Sequence, residues 1–175
     1  FVSTFINSDM EIIDAACGTG YGSNLLAKKA KRVLGIDYSK EAILFAKANY
    51  QSKNITFKVD NILNFNFKKK YDAIITLETL EHLSKSQAIK WLKKCKNSLK
   101  SNSTFICSSP MLRIRNNKPY ITNPHHLYEM KKEEFFANLK KIFRPKSINF
   151  FIQKNDSFVL HTNQNEGLCM AILKL

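Results

Sequence analysis

"EIIDAACGTGYGSNLLAKKAKRVLGIDYS", residues 11–39, decides how the rest of the chain is read. Its first part, "EIIDAA" at 11–16, is a short apolar run that stops at a glycine cluster and reads as a buried strand. "YGSNLLAKKAK" then has helical spacing, with Leu25, Leu26 and Ala30 on one side. "RVLGID" at 32–37 returns to a strand pattern. A strand, a tight turn, a helix and a second strand make a right-handed crossover, which pairs its strands in parallel.

The alternation continues outward from there. "SKEAILFAKANY" reads as a helix capped by Ser39, and "ITFKVD" at 55–60 and "YDAIITLE" at 71–78 as strands. "SQAIKWLKKCKNSL" is a helix turning Ala88, Trp91, Leu92 and Cys95 inward, and "STFICSSP" at 103–110 is a strand stopped by Pro110. Residues 111–124 form an irregular stretch, polar and basic, and loops of that length are often functional. "KKEEFFANLKKIF" is one more helix, and "SINFFIQ" and "GLCMAILKL" close the chain as two strands with a hairpin-like connection. The pattern predicts an α/β fold, one domain over residues 1–175, with a parallel sheet covered by helices on both faces.

Composition narrows the class without naming it. At 44% hydrophobic and 11% aromatic, 175 residues can bury a core. No apolar run reaches the roughly 18 residues of a membrane span, and four cysteines without a C-x-x-C pair fit a reduced, cytoplasmic protein. Phe1 rather than Met opens the sequence, so a preceding segment is expected. The net charge of +14 is compatible with nucleic acid, an anionic membrane surface or a phosphorylated metabolite, but the lysines are scattered, as a Lys- and Asn-rich composition produces without any partner.

Three of the five glycines are Gly18, Gly20 and Gly22, in the turn between strand and helix. Missing Cβ atoms let the backbone approach a ligand, and the helix start offers free N–H groups to an anionic part of it. The G-x-G-x-G spacing is neither the nicotinamide fingerprint nor a phosphate-binding P-loop. Asp37 ends the second strand, 23 residues after Asp14, where a carboxylate can accept from both hydroxyls of a ribose. Asp60 ends the third, followed by Asn61 and Ile62, suited to an adenine amino group and face.

"LETLEHL" at 77–83 adds a different chemistry. Glu78 and Glu81 are three apart and Glu78 and His82 four apart, so a helical turn would bring them onto one face. Three of the four histidines are His82, His125 and His126, the last two in "NPHHLYEM". Such a set is a divalent metal site (Mg, Mn, Fe or Zn), a general base, or an acidic helix start complementing the helix dipole.

"DAACGTGYGS", "GIDYS", "VDNI" and "YDAIITLETLEHL" together resemble the class I S-adenosylmethionine-dependent methyltransferases. The resemblance implies a Rossmann-like, seven-stranded, mostly parallel sheet whose last strand runs antiparallel, and a helix ahead of the first strand that residues 1–9 are too short to supply. It would put Asp14, Ala16, Gly18 and Gly20 around the methionine part of S-adenosyl-L-methionine. Asp37 and Tyr38 would lie at ribose and adenine, Asp60, Asn61 and Ile62 at adenine, with Leu77 beside the cofactor. Ala16 stands where many members have glycine.

E-x-x-E-H followed by N-P-x-H-x-x-E is similar to two branches. One comprises the small-molecule O-methyltransferases of the ubiquinone-biosynthesis and surface-sugar type. The other is the RNA 3′-terminal 2′-O-methyltransferases, whose pattern makes Glu78, Glu81, His82 and His126 metal ligands. The expected function is O-methylation of a small anionic metabolite (a sugar, a phosphorylated intermediate or a surface-polysaccharide precursor), with His82, His126 and Glu78 catalytic. Metal-dependent RNA 2′-O-methylation is the alternative.

Overall fold

The computed structural model describes residues 1–155, 157–160 and 167–175. Five strands, β1 (Glu11–Ala15), β2 (Arg32–Asp37), β3 (Ile55–Val59), β4 (Tyr71–Thr76) and β5 (Leu99–Pro110), lie parallel in the order β3-β2-β1-β4-β5. The order reverses at β1, so a crevice opens between the carboxyl ends of β1 and β4, where folds of this kind bind ligands.

Alternation along β1 sorts its side chains. Ile13 and Ala15 join the core on one face and Ile12 the core on the other, each at most 1% exposed. Asp14 falls on the Ile12 side and is buried there against helix α1 (Tyr21–Ala27). Helix α2 (Lys40–Asn49) begins where expected, with the Ser39 hydroxyl accepting the Ala42 N–H. Helix α3 (Lys85–Asn97) opens on a reciprocal Ser84–Gln87 capping box and buries Ala88, Trp91, Leu92 and Cys95. Helix α4 (Lys132–Phe143) packs Phe143 flat on Phe105 of β5, ring centroids 4.3 Å apart. Burying each of these large side chains contributes roughly 1.5–3 kcal/mol, and together α3 and α4 pin β4 and β5 beneath the site.

Four expectations need correcting. α1 ends at Ala27 and leaves Leu25 exposed, while Leu26 and Ala30 are buried. The stretch after β5 is not irregular throughout. It forms a hairpin, β6 (Arg113–Arg115) with β7 (Lys118–Tyr120), turning through Asn116 and Asn117 in left-handed conformation. Beyond β5 the sheet continues with β10 (Leu168–Lys174) and β8 (Ser147–Lys154), each step antiparallel. Then β9 (Ser157–Leu160) pairs with β8, so the sheet has eight strands among the described residues, not seven. That strand takes up the first part of the predicted connection; residues 161–166 of it lie outside the described residues. The mostly parallel sheet with an antiparallel end is otherwise the predicted one.

Candidate active site

After Ala15 the backbone enters the left-handed region at Ala16, Gly18 and Gly20, and this sequence of turns carries it from β1 into α1. The two glycines do different work. A Cβ on Gly20 would lie 2.7 Å from Ala46 Cβ and 2.8 Å from the Phe57 ring, so glycine here lets α2 and β3 close under the loop. A Cβ on Gly18 would meet nothing within 4 Å, so that glycine faces open space.

Asp37 organises the loop. Its Oδ2 accepts the Gly18 N–H at 2.8 Å and its Oδ1 the Ser39 N–H at 2.9 Å. A carboxylate has about four lone-pair sites, so acceptor capacity remains for ribose hydroxyls. Asp14 is 6% exposed and accepts the Ser23 hydroxyl at 2.6 Å. Burial, and then the negative charge of Asp37, push its carboxyl up to about 6. Burial likewise pushes the Cys17 thiol up to about 12, which keeps it protonated and unreactive. Of the other predicted cofactor residues, Tyr38 is exposed just past β2, and Ile62 is buried in the core. Leu77 is half-buried. Asn61 accepts the Leu63 N–H at 2.9 Å and so makes a turn, and Asp60 pairs with Lys58 at 2.6 Å.

β4 leads into the second half of the site. Glu78 is exposed and takes a left-handed conformation, φ 48°, which a side chain adopts only at a cost of about 1–2 kcal/mol. The Ser108 hydroxyl accepts its N–H and donates to its Oε1 at 2.8 Å. One turn of 3-10 helix, residues 80–82, then brings Glu81 beneath the surface, 1% exposed. Glu81 Oε2 accepts the Ser109 hydroxyl at 3.2 Å, and its Oε1 has no hydrogen-bond partner among the described residues. Burial, and then the charge of Glu78, push this carboxyl up to about 7.

Residues 123–129 fold over the turn and are tied to it. The Glu81 carbonyl accepts the N–H groups of both Leu127 and Tyr128, at 2.7 and 3.1 Å. The His82 and His126 rings meet edge to face, centroids 5.0 Å apart. Glu81, His82 and His126 each present one ligand atom, and the three atoms lie within 4.8 Å of one another. Glu78 is outside that group. The predicted one-face helical turn is replaced by a left-handed kink, which rotates Glu78 onto Ser108. Sequence reasoning missed Ser108, Ser109, Asn123 and Glu129. The N-P-x-H-x-x-E spacing marks the last two, whereas nothing local marks the serines. His125 is exposed, and its carbonyl, not its ring, faces His82.

A glycine loop with open space above it, a strand-end carboxylate beside it and a buried acid meeting two histidines after the neighbouring strand define a nucleoside-cofactor transferase of the Rossmann-like type. The chain belongs to the methyltransferase-domain family, whose model, described as "Methyltransferase domain", matches residues 6–164. It is an S-adenosylmethionine-dependent methyltransferase domain. Among its relatives is a protein of Invertebrate iridescent virus 6 named as a methyltransferase, 235L, 31% identical over 79% of this chain and 50% of that one. The ubiquinone biosynthesis O-methyltransferase of Glaesserella parasuis is 29% identical over 57% of this chain and 44% of its own length. The crystal structure of the small RNA methyltransferase HEN1 superposes with TM-score 0.79 at 21% identity, covering 99% of this chain and 24% of that one, a likeness of fold. The chain spans about half the length of the curated relatives it matches.

Proposed function

We propose that this chain is the catalytic part of an O-methyltransferase whose acceptor is a small anionic metabolite, such as a sugar, a phosphorylated intermediate or a surface-polysaccharide precursor. The observation that carries the reading is the buried Glu81, with one oxygen unpartnered among the described residues, converging with His82 and His126 one strand away from the glycine loop. A hydroxyl acceptor must lose its proton as it is methylated, and this group is equipped to take it.

The bound cofactor supplies an electrophilic methyl group with its leaving group already activated. The chain's own residues bind, orient and deprotonate. Gly18 leaves room for the cofactor, and Asp37, anchored by two backbone N–H groups, offers its remaining lone pairs to the ribose. Glu81, with its carboxyl near neutrality, and His126, held by two neighbours, receive the acceptor proton.

An anionic acceptor is supported by the β6–β7 hairpin. Residues directly opposite in an antiparallel pair share a face. Arg113 opposite Tyr120, and Arg115 opposite Lys118, therefore line one face, with Ile114 and Pro119 on the other. The hairpin and His126 belong to one excursion, closed at its base where the Leu112 N–H meets the Met130 carbonyl at 2.9 Å.

The second reading is metal-dependent 2′-O-methylation of RNA. A buried carboxylate oxygen without a partner among the described residues, beside two imidazoles, fits a divalent cation (Mg, Mn, Fe or Zn), which would lower the pKa of an acceptor hydroxyl. Glu81, His82 and His126 would hold it, and the likeness to HEN1 and the charge of +14 lean the same way. A cofactor-consumption assay on phosphorylated sugars and on short RNA 3′ ends, each with and without chelator, separates the two. Turnover on the sugars that survives chelation supports the first reading; chelator-sensitive turnover confined to RNA supports the second.

A further inference from the structure

His126 lies between two side chains whose chemistry leaves its ring one proton arrangement. Asn123 Oδ1 accepts the His125 N–H at 3.0 Å, so the amide nitrogen is the end that faces the ring, 3.0 Å from His126 Nε2. An amide nitrogen only donates; Nε2 must therefore carry a lone pair. Turning the amide over would set its NH2 against a backbone N–H, two donors in contact. On the other side of the ring, Nδ1 is 2.6 Å from Glu129 Oε1, and Glu129 is 5% exposed. The ring proton is thus on Nδ1, donated to the carboxylate. His82 is oriented in the same sense, because its Nδ1 faces the His125 carbonyl at 3.1 Å and a carbonyl can only accept.

We propose that Glu129 and Asn123 are positioning residues with separate tasks. Glu129 holds His126 as the Nδ1–H tautomer, and the Asn123 amide occupies the Nε2 lone pair until an acceptor proton or a cation displaces it. This rests on Glu81, His82 and His126 being the reactive group, and it adds to that group the two residues that set the state of its central ring. Partners of this kind orient a ligating or basic imidazole and raise its basicity. The backbone reinforces the arrangement: Pro124 has no N–H to compete for Asn123 Oδ1, and the His126 N–H bonds to the Asn123 carbonyl at 3.1 Å.

Long-range 1H–15N correlation spectra of the histidine-labelled chain read the tautomer with neither cofactor nor metal present. The expected result is an Nδ1–H ring for His126, retained in Asn123→Ala and in Glu129→Gln, whose amide oxygen still accepts. In Glu129→Leu the tautomers mix or reverse, while an unchanged His82 spectrum reports that the fold is intact. Titration with Mn2+ gives the second readout: Glu129→Leu weakens binding by about 10–100-fold, whereas Asn123→Ala does not weaken it. An Nε2–H ring in the unaltered chain, or a Glu129→Leu spectrum identical to it, overturns the role of Glu129; weaker Mn2+ binding in Asn123→Ala overturns that of Asn123. If no Mn2+ binds but the tautomer responds as expected, the metal reading fails and the positioning role of Glu129 stands.

Discussion

In the glycine loop the buried side-chain polar atoms have partners among the described residues, and mostly from nearby in the chain: Ser39 and Asp37 are two apart, Ser23 and Asp14 nine, Gly18 and Asp37 nineteen. In the acid–histidine wall His126 has local partners, Asn123 and Glu129 each three residues away, but the partners of the two glutamates and of His82 come from far along the chain. Ser109 and Glu81 are 28 apart, Ser108 and Glu78 30, and the His125 carbonyl and His82 43. The wall also keeps a left-handed glutamate and a buried oxygen with no partner among the described residues. A loop built from local bonds forms with the first crossover and can be complete before ligand arrives. A wall assembled from β4, β5 and the 112–129 excursion retains unsatisfied groups, and unsatisfied buried groups are what a proton or a cation comes to meet.

The contrast can be broken at its strongest point first. Gly20→Ala should cost about 2–5 kcal/mol, from left-handed strain and from overpacking against Ala46 and Phe57. Urea denaturation measures it, and a loss below 1 kcal/mol would show that the loop is not close-packed. His126→Ala should lower turnover by about a hundredfold or more while S-adenosylhomocysteine affinity by calorimetry stays the same. A parallel loss of cofactor affinity would mean that loop and wall are not separate devices.

Asp14→Asn tests the buried acid of the loop. The carboxyl ordinarily titrates at 3.8 and is raised to about 6 in the folded chain, which therefore binds the proton more tightly than the unfolded one does. Its effect on stability is nil below the ordinary value, becomes a penalty as pH rises through the interval up to about 6, and is constant above. The asparagine variant should match the parent at pH 3.5 and exceed it by about 3 kcal/mol at pH 7. Equal stability at both pH values refutes this. The smallest effect belongs to the hairpin. Replacing Arg113 and Arg115 by Ala should raise KM for an anionic acceptor by about three- to tenfold, roughly 1 kcal/mol, with kcat kept. A fall in kcat alone would give the arginines a role in the chemistry, not in binding.

How far these regions could be read in advance follows the same divide. The strand and helix periods and the Gly18, Asp37 and Ser39 positions were legible because each depends on neighbours within one crossover. The kink at Glu78 was not, since an E-x-x-E-H spacing looks the same in a helical turn and in a left-handed turn against Ser108. Leu25 falls outside because the buried face is Ser23, Leu26, Ala27 and Ala30, and Leu25 sits about 100° around the helix from its neighbour Leu26. The hairpin at 113–120 carries only an Asn116–Asn117 turn as its sign, amid polar residues that read as loop.

The sequence by itself determined the α/β alternation, the family, the glycine loop and the acids that follow the strands. Only the tertiary structure decided that Glu81, His82 and His126 converge while Glu78 turns onto Ser108. The physical reason is distance along the chain. Periodicity and turn chemistry act over a few residues, whereas burying Glu81 requires β4, β5 and the 123–129 segment to pack together, and no local pattern encodes where three separated segments meet.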